Sequence, residues 1–202
     1  PVLEEQFSLA LASHRPVRMV YMSPRLSDEL RIDVYLLFKV FYERAWYVIT
    51  RDVGSRSYYP CRLDRIKELK LLDGYPIHQT LGEDIEEAHY LMGCGWGMTF
   101  PATRKDADRG KTCPETVVRF SAKVAPYIVE VSGRHPMAKV GYARDGSGDA
   151  VFRIRLLDLW EFKHWVRQFG SNAWFLSPPS VVDEEKAEVR RMAARYGWSS
   201  DP

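Results

Sequence analysis

The chain has 202 residues, of which 46% are hydrophobic and 13% aromatic, and its formal net charge is +2. This composition excludes a disordered class and supplies enough apolar material for one sizeable domain or two small ones. The sequence has neither an apolar run of the roughly 18 to 20 residues that a membrane span needs nor a secretory signal pattern, so we expect a soluble, cytoplasmic protein. Because the chain begins at Pro1 rather than Met, we also expect a fragment or a processed chain.

The first 75 residues predict a small β-barrel preceded by a helix. An amphipathic helix is expected over residues 3–12, and Pro16 ends it. Five short runs rich in β-branched and aromatic residues follow, separated by turn residues, at 17–21, 31–42, 46–50, 57–62 and 66–72. Consecutive short strands of this kind are typical of a small antiparallel barrel, which we assign to domain 1–75.

Residues 76–114 are predicted to be a linker that carries a short helix around Glu83–Met92. The glycine-rich run at 93–97 follows this helix rather than a strand, and no Lys-Ser/Thr pair follows it. It therefore lacks the context of a phosphate-binding loop.

Residues 115–202 predict a second, α+β domain. The pattern gives strands at 116–120, 137–142, 151–157 and 172–176, and helices at 121–131, 158–169 and 180–196. Strand-helix-strand-strand-helix-strand is the order of a ferredoxin-like unit, here with a C-terminal helix added.

The residue types that bind metals or perform acid–base catalysis lack the spacing that such sites need. Cys61, Cys94 and Cys113 are odd in number and widely spaced, and the five histidines lack metal-ligand spacing. A Gly-x-Ser-x-Gly motif is absent as well. We therefore expect no metal, no cofactor and no enzymatic activity.

Charge is concentrated early in the chain. Residues 14–75 contain 12 basic and 8 acidic residues, a balance of +4, and this block also contains several tyrosines. Arginines held on rigid strands suit backbone phosphates, and aromatic rings suit unstacked bases. The block therefore favours an anionic partner, although a solvated charged face has the same composition.

Several motifs in this order resemble a known family. Val20-Tyr21, the strand 34–42, Trp46-Tyr47-Val48 and the Arg-Leu-Asp-Arg-Ile run at 62–66 resemble a WYL domain. The later part resembles the WCX extension that follows WYL domains, through the motifs Val118-Arg119-Phe120-Ser121, Gly133-Arg134-His135-Pro136, Asp145-Gly146-Ser147, Phe169-Gly170 and Tyr196-Gly197. Two features depart from the family pattern: the strand before the Trp-Tyr pair lacks the usual proline, and no helix-turn-helix precedes the WYL unit.

The resemblance implies the effector-sensing part of a bacterial transcriptional regulator, with an Sm-like WYL barrel and a WCX domain. The expected ligand is single-stranded DNA or another nucleic-acid-derived molecule. The expected partners are a helix-turn-helix segment in the full-length protein and a second copy in a homodimer. The residues that we expect to bind ligand are Tyr21, Ser23, Arg31, Tyr59, Arg62, Arg65, Arg119 and Arg134.

Structural alternatives to these roles stay open on sequence alone. Tyr21 and Ser23 could form an edge-strand pair without a ligand, and Arg65 could pair with Asp64 or Asp52. Arg62 and Arg65, three apart, face opposite sides of an ideal strand unless the chain bends between them. Trp46 is predicted to be core rather than a stacking surface. The alternative function is a dimerisation module that binds no ligand.

Overall fold

The computed structural model describes residues 2–23, 28–75, 77–130, 133 and 135–198. They form two compact units, 1–107 and 108–202. The elements of the first unit are α1 (Val2–Ser13), β1 (Val17–Met22), β2 (Glu29–Tyr42), β3 (Ala45–Asp52), β4 (Tyr58–Arg62), a 3₁₀ turn (Leu63–Arg65), β5 (Ile66–Leu71), α2 (Leu81–Gly93) and the start of α3 (Arg104–Thr112). Those of the second unit are the rest of α3, β6 (Thr116–Phe120), α4 (Ala125–Glu130), β7 (Lys139–Tyr142), β8 (Ala150–Ile154), α5 (Trp160–Arg167), a 3₁₀ turn (Gly170–Asn172), β9 (Ala173–Ser177) and α6 (Pro179–Arg195).

The first unit contains one antiparallel sheet in the order β4-β3-β2-β1-β5. Its two edge strands, β4 and β5, are consecutive in sequence and joined only by the 3₁₀ turn. The opposite edges of a flat five-stranded sheet would be about 19 Å apart, whereas the four Cα steps from Arg62 to Ile66 span at most about 14 Å. The sheet must therefore curl until its edges approach each other.

No ladder joins β4 to β5 within the part of the chain that the structure describes. The sheet is thus strongly curved but open. The α+β class is confirmed, and the strands among the described residues form no closed barrel.

Alternate residues of the sheet point into one core under α1. Val17 and Met19 of β1, Val34 of β2 and Val48 of β3 are fully buried there. Phe7 and Ala10 of α1 complete the same cluster, so the apolar face of the helix covers the core of the sheet.

The segment predicted to be a linker contains two helices, one of which the sequence pattern did not indicate. α2 packs against β2, so it belongs to the first unit. α3 was not predicted because its sequence is almost wholly polar. Its start is capped by Thr103, whose hydroxyl accepts a hydrogen bond from the Asp106 backbone N–H at 3.2 Å, so a Thr-x-x-Asp cap was the available signal.

The second unit has a four-stranded antiparallel sheet in the order β7-β8-β6-β9. One face packs on α4 and α5 through aromatic rings. Phe120 and Phe152 are buried beneath Phe162 and Trp165, with ring centroids 5.5 to 5.7 Å apart. The chain order of strands and helices agrees with the sequence prediction for this unit.

Every helix among the described residues is too short or too polar to cross a lipid bilayer.

Candidate functional site

Tyr21 connects β1 with the edge strand β4 of the curved sheet. Its ring is 9% exposed and packs in the core. Its hydroxyl accepts a hydrogen bond from the Arg62 backbone N–H at 3.2 Å. Tyr21 lies on β1 beside Ile66 of β5, and Arg62 ends β4, so this bond bridges the gap between the sheet edges.

Arg62 presents its guanidinium at this junction. Nε and Nη2 each lie 2.8 Å from one oxygen of Asp64. The two side chains are 33% and 60% exposed, so water and salt screen the pair and it contributes little to stability. On the other side Tyr47 of β3 is the ladder partner of Arg62. Asp64 thus orients Arg62 without holding it strongly.

A 3₁₀ turn separates Arg62 from Arg65, so the two need not face opposite sides as they would on an ideal strand. A 3₁₀ helix has three residues per turn, so residues three apart are eclipsed rather than opposed. Arg62 is the N-cap of this turn and Arg65 its last residue. Arg65 is half-buried and makes no ion pair with any described residue. We call Tyr21, Tyr47, Arg62, Asp64 and Arg65 the basic end of the first unit.

Two other predicted ligand residues lie near this end. Ser23 is half-buried directly after β1. Tyr59 is 41% exposed on β4, opposite Thr50 and three residues before Arg62. Because residues three apart on a strand face opposite sides, Tyr59 and Arg62 lie on different faces of β4.

Arg31 is not brought together with Tyr21. It pairs with Val20 of β1, the residue before Tyr21, and successive residues of a strand face opposite sides. Arg31 instead lines a separate cleft of 590 Å³ with Arg18, Asp33 and Tyr75. The structure therefore divides the predicted set between two faces of the sheet.

One of the two arginines predicted in the second unit has a structural role. Arg119 on β6 is held by Asp149 at 2.7 Å, Asp145 at 2.6 Å and the Ser147 hydroxyl at 2.9 Å. These contacts tie the turn between β7 and β8 to β6, which is a structural use of the guanidinium. Arg134 lies outside the described residues.

Trp46 differs from its prediction. It is 52% exposed, not core, and its ring lies beside that of Phe41, which is 59% exposed. Trp46 alternates in phase with the buried Val48, but it lies at the start of β3, where the strand has passed the edge of the core. An alternating pattern predicts which face a residue takes, not where the core ends.

Sequence reasoning also missed a buried polar cluster beneath α2, made of Arg51, Tyr58, His78, Thr80 and Asp84. Asp84 accepts hydrogen bonds from the Tyr58 hydroxyl and from His78 Nε2, the latter at 2.5 Å, and lies 3.3 Å from Arg51 Nε. The side chains of Arg51, His78 and Asp84 are each at most 8% exposed. We call this set the Asp84 cluster; it fastens α2 to β3 and β4.

Within the Asp84 cluster, the pKa values of His78 and Asp84 both differ from their ordinary values. Burial lowers the pKa of His78, and the hydrogen bond to Asp84 offsets only part of this. Burial raises the pKa of Asp84, but the hydrogen bonds from Tyr58 and His78 and the charge of Arg51 outweigh it, so the net direction is downward. Nδ1 of His78 has no hydrogen-bond partner among the described residues. A neutral imidazole fits this place, because protonation would bury an unpaired N–H donor.

Stability is expected to fall as the solution is acidified below neutral pH. A folded-state pKa below the unfolded value of about 6.5 means that the unfolded chain binds the extra proton, so the contribution of His78 is complete above that pH and declines below it. Urea denaturation at about pH 7.5 and about pH 5.5 should show a loss of up to about 1 kcal/mol that is absent in His78→Gln. An equal loss in the variant would contradict the assignment.

Comparisons with known proteins identify both units. The WYL domain family model matches residues 4–71, and the WCX domain family model matches residues 114–193. No curated protein matches the chain.

Two solved structures are similar over nearly the whole chain. Proteasome accessory factor B/C (PafBC) of Arthrobacter aurescens has 18% sequence identity and a TM-score of 0.40, over 93% of this chain and 26% of that one. A CRISPR Cas-related protein has 14% identity and a TM-score of 0.54, over 96% of this chain and 51% of that one. The similarity to the CRISPR Cas-related protein is a similarity of fold. The chain spans only part of the length of either protein.

Proposed function

Because the chain belongs to the family that joins a WYL domain to a WCX domain, we propose that it is the ligand-sensing part of a bacterial cytoplasmic transcriptional regulator. Its ligand is single-stranded DNA or another nucleic-acid-derived molecule, and ligand binding controls a DNA-binding segment of the full-length protein. The protein acts by binding, without catalysis. The observation that carries this proposal is the basic end, where Arg62 lies beside Tyr21 and Tyr47 and Arg65 follows one 3₁₀ turn later.

The proposal includes the finer fold of each unit. A five-stranded sheet whose edges are joined by one 3₁₀ turn, with a helix packed on its core, supports an Sm-like barrel for the first unit. In the second unit, counting its strands from one, the sheet order is 4-1-3-2, which supports a ferredoxin-like arrangement.

The chemistry of the basic end suits a phosphate. The Arg62–Asp64 pair is largely exposed and weak, so a phosphate oxygen can take the place of the carboxylate at little cost. Asp64 then serves to keep the guanidinium extended before binding. Arg65, one 3₁₀ turn away, can contact the same or the next phosphate.

The salt dependence of binding tests the role of Arg62. Each phosphate contact in a single-stranded complex contributes about −0.7 to the slope of log K against log salt concentration. Arg62→Ala should therefore weaken binding of a labelled oligothymidine and make this slope shallower by about 0.7. Fluorescence anisotropy over a series of salt concentrations measures both quantities.

A matched control is Arg167→Ala, which removes an arginine from a similar two-point pair, with Glu185 in the second unit. It should leave affinity and slope unchanged. Absence of binding by the folded wild-type chain at low salt would refute the proposal. Equal slopes for Arg62→Ala and wild type would place the phosphates elsewhere.

The alternative function, a dimerisation module without a ligand, is favoured by a different surface. Val189, Met192 and Tyr196 lie on one side of α6 and are 51% to 84% exposed. Spacing of three and four residues makes them an apolar stripe suited to a second copy. Light scattering in the anisotropy buffer separates the two: a dimer that binds no oligonucleotide favours this alternative.

A further inference from the structure

The sheet of the second unit bears cations on the face that α4 and α5 do not cover. Phe120 and Phe152, which point toward these helices, are fully buried. Because successive residues of a strand alternate between faces, Arg153 of β8 lies on the opposite face from Phe152. Lys139 of β7 is the direct ladder partner of Arg153, so it lies on that face as well. Both residues are exposed.

Lys139 and Arg153 are therefore like charges held opposite each other. The Cβ atoms of direct cross-strand partners are about 5 Å apart, and like charges in this position destabilise the strand pair. Lys139 makes no ion pair with any described residue. The described part of the unit thus leaves the positive charge of Lys139 without compensation.

A single carboxylate, that of Glu115, serves Arg153 and a second arginine, Arg155. Its Oε2 lies 3.4 Å from Nη1 of Arg153, and its Oε1 lies 4.0 Å from Nη2 of Arg155. Both contacts are long, and the two arginine side chains are 48% and 43% exposed, so water and salt screen them. Nη1 of Arg155 also donates a hydrogen bond to the Cys113 carbonyl at 2.6 Å, which positions the guanidinium without neutralising it.

We call Lys139, Arg153, Arg155 and Glu115 the cationic cluster of the second unit. It has three positive charges against one negative charge, a balance of +2. An anion that contacts both Lys139 and Arg153 relieves their repulsion, and phosphate oxygens accept charge-assisted hydrogen bonds from both residue types. Several cations side by side suit a chain of phosphates better than one small anion.

The architecture of this unit is compatible with such a ligand. In the RNA-recognition motif, single strands lie on a four-stranded sheet, where aromatic side chains stack on the bases. The sheet of the second unit has Lys139 and Arg153 as direct partners instead of stacked aromatic rings. Its chemistry therefore suits the phosphates of a strand rather than its bases.

We propose that Lys139, Arg153 and Arg155 bind backbone phosphates of a nucleic-acid strand, as a contact surface of the second unit in addition to the basic end of the first. This inference rests on the proposed function and assigns part of the ligand contact to the second unit. Because phosphates carry no sequence information, this contribution to affinity is independent of base sequence.

The test uses a double variant, Lys139→Gln with Arg153→Gln, which removes both charges and keeps polar side chains. Two lost phosphate contacts should make the slope of log K against log salt concentration shallower by about 1.4 for a single strand. The change should be the same for a labelled oligothymidine and for an abasic strand of equal length, measured by fluorescence anisotropy. Removal of like charges should leave the melting temperature in chloride buffer at or above that of the wild type.

Lys186→Gln with Arg191→Gln is the matched control, because it removes two exposed cations from α6 of the same unit, each paired with a carboxylate three residues away. Its slope should equal that of the wild type. Equal slope changes in the two double variants would assign the effect to net charge and overturn the proposal.

The remaining outcomes separate this proposal from the proposed function. An unchanged slope in the Lys139 and Arg153 variant overturns the second contact surface and leaves the Arg62 result intact. Binding of neither strand by the wild type overturns both. If inorganic phosphate raises the melting temperature of the wild type but not of this variant, relative to chloride of equal ionic strength, while the oligothymidine slope is unchanged, the cluster binds free phosphate and the nucleic-acid contact is overturned.

Discussion

Asp84→Ala is expected to destabilise the first unit by about 3 to 5 kcal/mol, because it leaves the buried guanidinium of Arg51 without its counter-charge. Arg51 and Asp84 have side chains only 8% exposed, so water cannot replace the lost carboxylate. The same substitution removes the acceptor of the Tyr58 hydroxyl and of His78 Nε2. Native-state hydrogen exchange of the β3 and α2 amides measures the effect within the unit concerned.

Glu83→Ala provides the control for this experiment. Glu83 also lies in the first turn of α2, so both substitutions remove a carboxylate that interacts favourably with the helix N-terminus. Because Glu83 is exposed, its removal should cost less than about 1 kcal/mol. Similar costs for the two substitutions would mean that the cluster contributes no more than the helix dipole does.

The sheet of the first unit could be predicted from sequence because its signal is local. Alternation of apolar and polar residues within β1 or β3 depends only on neighbours in the chain, so strands and their buried faces follow from it. Which residues of neighbouring strands lie on the same face of the sheet does not follow from this local pattern. Arg31 and Tyr21 fall on opposite faces because of the register between β1 and β2, and a shift of one residue would have reversed that.

The Asp84 cluster lacked such a local signal. From the sequence, Asp84 is expected to be an acidic residue that stabilises the first turn of a helix, and Arg51 is expected to be a polar residue near the end of a strand. Their contact depends on how α2 lies across the sheet, which no sequence period encodes. The bend at the 3₁₀ turn is a similar case: Arg62 and Arg65 could be assigned to one ligand only once the chain was known to leave the strand between them.

Gly95→Ala is expected to destabilise the first unit by about 3 kcal/mol, the upper part of the range for overpacking. A Cβ at Gly95 would overlap the carbonyl oxygen of Thr99 and the Cα of Phe100, both of which belong to backbone that cannot rotate away. The overlap arises because a tight turn, closed by paired backbone hydrogen bonds between Trp96 and Thr99, brings the chain back over Gly95.

The displaced backbone is coupled to the sheet. Three residues beyond Thr99, the carbonyl of Ala102 accepts the Tyr58 backbone N–H at 2.8 Å, and Tyr58 in turn donates to Asp84. A shift of the returning chain therefore strains both the start of β4 and the Asp84 cluster. Gly95 is needed for close backbone approach, which explains a glycine at this position without a phosphate.

Gly82→Ala in α2 is the matched control for Gly95→Ala. No atom lies within 4 Å of a Cβ built at Gly82, so alanine should fit and stabilise the helix by up to about 1 kcal/mol. Urea denaturation of the two variants should therefore shift in opposite directions from the wild type. If Gly95→Ala unfolds at the same urea concentration as Gly82→Ala, the returning chain can move away, and the close approach is not what requires glycine. A loss confined to Gly95→Ala, with weakened exchange protection at Tyr58, would tie that approach to the start of β4 and, through it, to the strand that ends at Arg62.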